Sequence, residues 1–270
     1  MINLHSSLVA AKKSGIGFLI VFFLFSTLNA QSEELGARRN EEGNFTGYFY
    51  KTLPKNLLIG TKNSFLGWNL AILGAGAGGA IALSQTGSDN DIQENVKGVL
   101  GDFADIGNIG GSAFTLAAIA LSTYTLGIIS KNNSVVETGR ALIEAEIITA
   151  VMTSIIKVSV GRERPDGSGN RFSSSFPSGH VSGSFALAST IDSMYGHYAG
   201  IPLYLFAGYV GFSRMSDNKH FLSDVIFAAA LGTAIGRGVA KIHKNECYSK
   251  FHIVPYTDGN GGGLLLTFSW

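Results

Sequence analysis

The chain has 270 residues, 46% hydrophobic and only 14% charged, with 20 Lys and Arg against 19 Asp and Glu for a formal charge of +1. That balance argues against a nucleic-acid partner, and a charged fraction well below the roughly 25% of ordinary soluble domains points to extensive helix burial or to a membrane. A single cysteine, Cys247, excludes an internal disulfide and the paired-cysteine signatures of zinc sites.

Residues 1–30 read as a signal peptide or N-terminal anchor. Lys12 and Lys13 open it, residues 16–28 are apolar but short for a membrane span, and Ala30 suits a cleavage site. Residues 31–63 read as a polar arm, loose or a short surface helix. Residues 64–245 read as one helical domain, because apolar stretches at 64–85, 111–130, 141–160, 181–195, 198–212 and 221–240 have helical length and little alternation. An acidic connector separates the first two, with Asp89, Asp91, Glu94, Asp102 and Asp105 against Lys97. Gly74, Gly76 and Gly79 satisfy GxGxxG, yet no strand precedes them; close helix packing is expected there, not a dinucleotide site. In the tail, 246–270, segments 252–257 and 263–270 flank Asp258-Gly259-Asn260-Gly261, a hairpin signal. The expected fold is all-α, a bundle of about six core helices with a short C-terminal β-hairpin.

Three polar islands interrupt the apolar stretches. The first holds Lys157, Arg164 and Pro165; the second Pro177, Ser178, Gly179 and His180; the third Ser213, Arg214, His220 and Asp224. Each lies at the end of an apolar segment, where loops present side chains from a rigid scaffold. Lys157, Arg164 and Arg214 are cations of the kind that hold phosphate oxygens. Ser178 and Gly179 precede an apolar helix, so their backbone N–H groups are expected at a helix N-terminus, an anion site. His220 and Asp224 are four apart and are expected on one helical face, the carboxylate holding one imidazole nitrogen and leaving the other as nucleophile. His180 remains as general acid for the leaving oxygen. Fixed positive charge of this kind stabilises a phosphoryl-transfer transition state, and no acidic cluster among the islands suits magnesium, so no cofactor is expected. Singly, a helix-end cation completes the helix dipole and a His–Asp pair is structural; the ordered pattern points to function. Arg162 and Glu163 read as an exposed pair, and His5, His197, His243 and His252 receive no role.

Together the islands resemble the full signature of the type-2 phosphatidic acid phosphatase superfamily, which includes bacterial class A acid phosphatases and vanadium haloperoxidases. The first matches lysine, six residues, Arg-Pro; the second Pro-Ser-Gly-His; the third Ser-Arg, five residues, His, three residues, Asp. The resemblance implies that His220 is the nucleophile, Asp224 its orienting partner and His180 the acid. It also implies that Lys157, Arg164, Ser178, Gly179 and Arg214 bind phosphate. The expected activity is metal-independent hydrolysis of phosphomonoesters or pyrophosphates through a phosphohistidine, on a phosphorylated lipid or small phosphoester. The alternatives are a vanadate-dependent haloperoxidase and a non-catalytic membrane protein that binds an anion. No protein partner can be read from the sequence.

The acidic connector is the reverse of what cytoplasmic loops prefer, and Glu144 and Glu146 are costly in lipid. At least one apolar run is therefore expected not to span, which leaves an exported, periplasmic or membrane-associated domain whose site faces the periplasm.

Overall fold

The computed structural model describes residues 47–244 and, beyond them, the backbone of residues 250–257 and 262–269. The expected signal or anchor and most of the polar arm lie outside the described residues. Residues 1–55 and 56–270 form separate compact units, and the site belongs to the second.

The helices are α1 (Leu53–Ser64), α2 (Trp68–Gln85), α3 (Ser88–Val96), α4 (Ala104–Gly110), α5 (Ala113–Ser130), α6 (Asn133–Val160), α7 (Gly179–Tyr195), α8 (His197–Ser216) and α9 (Leu222–His243). The all-α expectation holds. Two differences have physical causes. The acidic connector is not a plain loop: it folds into α3 and α4, and α3 carries Asp89 and Asp91 in its first turn, where they complement the helix dipole. Helix α6 also begins two turns before residue 141. The charges there are neutralised internally: His243 approaches Glu137 and Glu144 at 2.7 Å each, Arg140 reaches Glu137 at 2.6 Å, and Asn56 donates to Glu144 at 3.0 Å. The histidine given no role from sequence thus ties α9 to α6. In the tail, Lys250–Thr257 runs antiparallel to Gly262–Ser269, with Lys250 opposite Ser269.

Contacts between helices fix their directions. Helices α7 and α9 run parallel, because Gly232 meets Ser182 and, four residues on in each helix, Gly236 meets Ala186. A Cβ at Gly232 would lie 2.1 Å from the Ser182 carbonyl oxygen, and one at Gly236 would lie 2.4 Å from that of Ala186, so only glycine permits this approach. Helix α6 is antiparallel to α7, with Thr138 bonded to Tyr195 at one end and Thr153 to Ser182 nearer the other. Helix α8 is antiparallel as well, Gly200 lying against Asp192 and Gly211 against Val181. The C-termini of α6 and α8 therefore meet the N-termini of α7 and α9 at one end of the bundle. Leu73, Ala145, Ile148, Ala186, Leu231, Ile235 and Val239 fill the core between α2, α6, α7 and α9. Within the GxGxxG run, Gly76 of α2 lies against Ala230 of α9, the close packing expected of it.

Among the described residues two helices, Ala113–Ser130 and Leu222–His243, are long and apolar enough to cross a membrane, or three if the bent pair Tyr48–Ser64 and Trp68–Gln85 forms one span. Phe114, Leu126 and Ile129 project from α5 at 74%, 60% and 65% exposure, a surface suited to lipid. The domain is membrane-associated.

Candidate active site

The convergence of helix ends brings the three islands together. Lys157 sits in the last turn of α6, Arg214 in the last turn of α8, and Arg164 in the loop after α6. Ser178 caps α7, whose first residues are Gly179 and His180. His220 lies just ahead of α9, and Asp224 is in its first turn. Every residue singled out from the sequence thus occupies one end of the bundle.

The histidine pair is arranged differently from the expectation. His220 is not on a helical face with Asp224, because the helix starts at Leu222. Asp224 Oδ2 accepts the Phe221 N–H at 2.8 Å and a hydrogen bond from the Ser175 hydroxyl. This folds the chain back so that His220 Nδ1 stands 3.6 Å from Asp224 Oδ2, beside the carboxylate but beyond hydrogen-bond distance. His220 is 2% exposed and Asp224 fully buried.

A second correction concerns Arg162, read as one of an exposed pair. Its guanidinium donates to Asp224 Oδ1 at 2.7 Å, to Ser223 Oγ at 2.6 Å and to Asp89 Oδ2 at 2.9 Å, and stacks 4.2 Å over the Phe221 ring. Asp89 in turn accepts the Ser223 N–H at 2.9 Å. Arg162 and Asp89 therefore clamp the first turn of α9 and neutralise the carboxylate beside His220, while Glu163 remains exposed. Asp89 comes from the acidic connector, which nothing in the sequence ties to Asp224. Arg162 could have been noticed two residues before Arg164. Asn108 of α4, likewise unforeseen, accepts from Arg214 and donates to Asp217.

The remaining cations are held by backbone. Lys157 Nζ donates to the Ser174 carbonyl, and Arg164 Nε donates to that of Ser173 at 3.0 Å. The Ser178 N–H is directed to the Asp224 carbonyl at 3.4 Å and is not free for an anion. Ser178 offers its hydroxyl instead. Ser178 Oγ, Arg214 Nε and His220 Nδ1 are all buried without a hydrogen-bond partner. The Gly179 and His180 N–H groups start α7 and have no carbonyl within the helix to bond.

Electrostatics follow from this crowding. Burial and then the repulsion of Arg164 lower Lys157 to about 8. Burial, with Arg214, His220, Arg164 and Lys157 nearby, lowers His180 to about 4. Burial outweighs the Asp224 carboxylate and lowers His220 to about 4. At neutral pH both imidazoles are neutral and the cations make the site strongly anion-attracting. Among the described residues no group of three or more His, Cys, Asp or Glu side chains is arranged to hold a metal.

Residues 138–247 match the PAP2 superfamily, and the resemblance carried by the three islands holds over that segment. Over 106 residues the chain is 37% identical to lipid A 1-phosphatase of Porphyromonas gingivalis, covering 36% of this chain and 23% of that protein. Over 161 residues it is 31% identical to lipid phosphate phosphatase 1 of Arabidopsis thaliana, covering 45% of this chain and 46% of that protein. The chain thus spans less than half the length of these relatives. A transmembrane PAP2-type phosphatidylglycerolphosphate phosphatase from Bacillus subtilis shares the fold, with a TM-score of 0.54 at 18% identity over 66% of this chain and 96% of that one.

Proposed function

We propose that the chain is a phosphatase that hydrolyses a lipid phosphate monoester or pyrophosphate through a covalent intermediate on His220, without a metal. The observation that carries this is the gathering of Lys157, Arg164 and Arg214 around a buried, neutral His220 backed by the Asp224 carboxylate. With its Nδ1 proton toward Asp224, His220 attacks phosphorus through Nε2. A P–N bond forms, the ester P–O bond breaks, and His180 gives its proton to the leaving oxygen. Water then attacks the phosphohistidine, His180 takes the water's proton, the P–N bond breaks and phosphate departs. A bound phosphate dianion favours protonated His180, so the low value in the free site does not bar it from acting as the acid. The cations and the Ser178 hydroxyl hold the equatorial oxygens as charge spreads over them.

The lipid part is supported by a cavity of about 640 Å³ beside Arg162, lined by Ala77, Ala80, Ile81, Val160, Phe176 and Phe227. Its apolar wall suits an acyl chain running from the phosphate into the bilayer. The names of the relatives agree with such a substrate. Orientation follows from charge. The acidic connector at this end, with Asp89, Asp91, Glu94, Asp102 and Asp105 against Lys97, is the reverse of what cytoplasmic loops prefer and supports a site that faces the periplasm. The test is hydrolysis of phosphatidate and of p-nitrophenyl phosphate by detergent-purified protein in excess chelator. Cleavage that vanadate inhibits competitively is expected. Halide oxidation that depends on vanadate, with negligible ester cleavage, would overturn it.

A further inference from the structure

At the opposite end of the bundle lies a second cavity, of about 670 Å³, between the α1–α2 turn, the α7–α8 turn and the last turns of α9. Arg237, Lys241 and Lys244 project into it from one side of α9, and Asn63 and Asn69 supply amides. Among the described residues none of these three cations forms an ion pair; Arg237 makes one long hydrogen bond, 3.3 Å, to Asn69 Oδ1. The cavity's carboxylate, Asp192, is 7% exposed and paired at 2.8 Å with His197. Trp68, 81% exposed, and Leu66, 52% exposed, form an apolar rim. Arg237 to Lys244 lie 13 to 20 positions beyond Asp224 along α9 and its C-terminus, about 20–30 Å from the catalytic end.

We propose that this cavity binds the phosphate of an anionic phospholipid headgroup in the leaflet opposite the active site. The cations sit where the candidate span Leu222–His243 ends, at headgroup depth. Arginine and lysine in a basic pocket between helices are the groups that recognise a headgroup phosphate. Trp68 and Leu66 enter the interface beside it, as tryptophan does at membrane boundaries. A soluble anion would use the cations and the amides but has no use for that apolar rim.

Binding tests this apart from any hydrolysis, so the proposal and the phosphatase reading can fail separately. Full-length protein in neutral detergent is titrated with dioleoylphosphatidylglycerol, with dioleoylphosphatidylcholine and with inorganic phosphate, following bound lipid by native mass spectrometry and unfolding temperature by thermal shift. Arg237→Gln with Lys241→Gln changes two exposed positions and should leave the lipid-free unfolding temperature unchanged. It should weaken phosphatidylglycerol binding by about tenfold. Arg214→Ala, at the catalytic end, should leave that binding intact. Equal lipid affinity in the double variant would overturn the proposal. So would loss of binding in Arg214→Ala, equal binding of the zwitterionic lipid, or stabilisation by inorganic phosphate alone that the double variant abolishes.

Discussion

Replacing Arg162 by methionine keeps the volume of the side chain and removes its charge. Two charge-assisted hydrogen bonds to carboxylates vanish, at 2.7 Å to Asp224 and 2.9 Å to Asp89, each worth about 1.5–3 kcal/mol. The guanidinium is 24% exposed, so water restores part of the loss and a net cost of about 3 kcal/mol remains. Asp224 keeps the Ser175 hydroxyl and the Phe221 N–H but loses its countercharge, and the first turn of α9 loosens. We expect kcat on p-nitrophenyl phosphate to fall about 30-fold, equivalent to about 2 kcal/mol, with KM changed less than about twofold because the Arg162 guanidinium is already engaged by Asp224, Ser223 and Asp89. Asp89→Asn should do the same more mildly. Since both act through one carboxylate, the double variant should be little worse than Arg162→Met alone, a coupling readable from a double-mutant cycle. A kcat within twofold of wild type, or strictly additive effects, would refute the clamp.

Burial and neighbouring cations lower Lys157 to about 8, so KM should rise above that pH as the ammonium loses its proton. Lys157→Arg, charged throughout, should remove the rise in a steady-state pH profile. On the acid side kcat/KM should fall below about pH 4, where protonated His220 has no lone pair to offer. Gly232→Ala would press a Cβ against the Ser182 carbonyl and force α7 from α9; a loss of about 2–3 kcal/mol in stability, seen as a lower unfolding temperature, should accompany reduced activity. A reporter active only in the periplasm, fused after residue 170, should give signal, and a cytoplasmic one should not.

The candidate site was legible because the superfamily pattern fixes residue type and spacing within each island. The long helices were legible because their residues are apolar and unbroken. What escaped the sequence depends on distance along the chain. Asp89 reaches Ser223 across 134 positions, and no local pattern marks an acid in a connector as a clamp for a helix that far away. Glu137 and Arg140 look like solvent-side charges, yet with His243 they close a buried network that extends α6 beyond its apolar stretch. The expected helical face for His220 and Asp224 failed because Asp224 caps its own helix through Phe221, leaving His220 in the turn before it. The Ser178 amide was likewise taken by the Asp224 carbonyl, which spacing alone could not reveal.

Trapping the covalent intermediate decides whether His220 is the nucleophile. Purified protein is mixed with a ³²P-labelled phosphoester, quenched in alkali within a turnover, and mapped by peptide mass spectrometry. A label stable in base, labile in acid and located on His220 is expected, stronger in Asp224→Ala if hydrolysis of the intermediate slows and absent from His220→Ala. Full turnover by His220→Ala, or label on another residue in wild type, would contradict it.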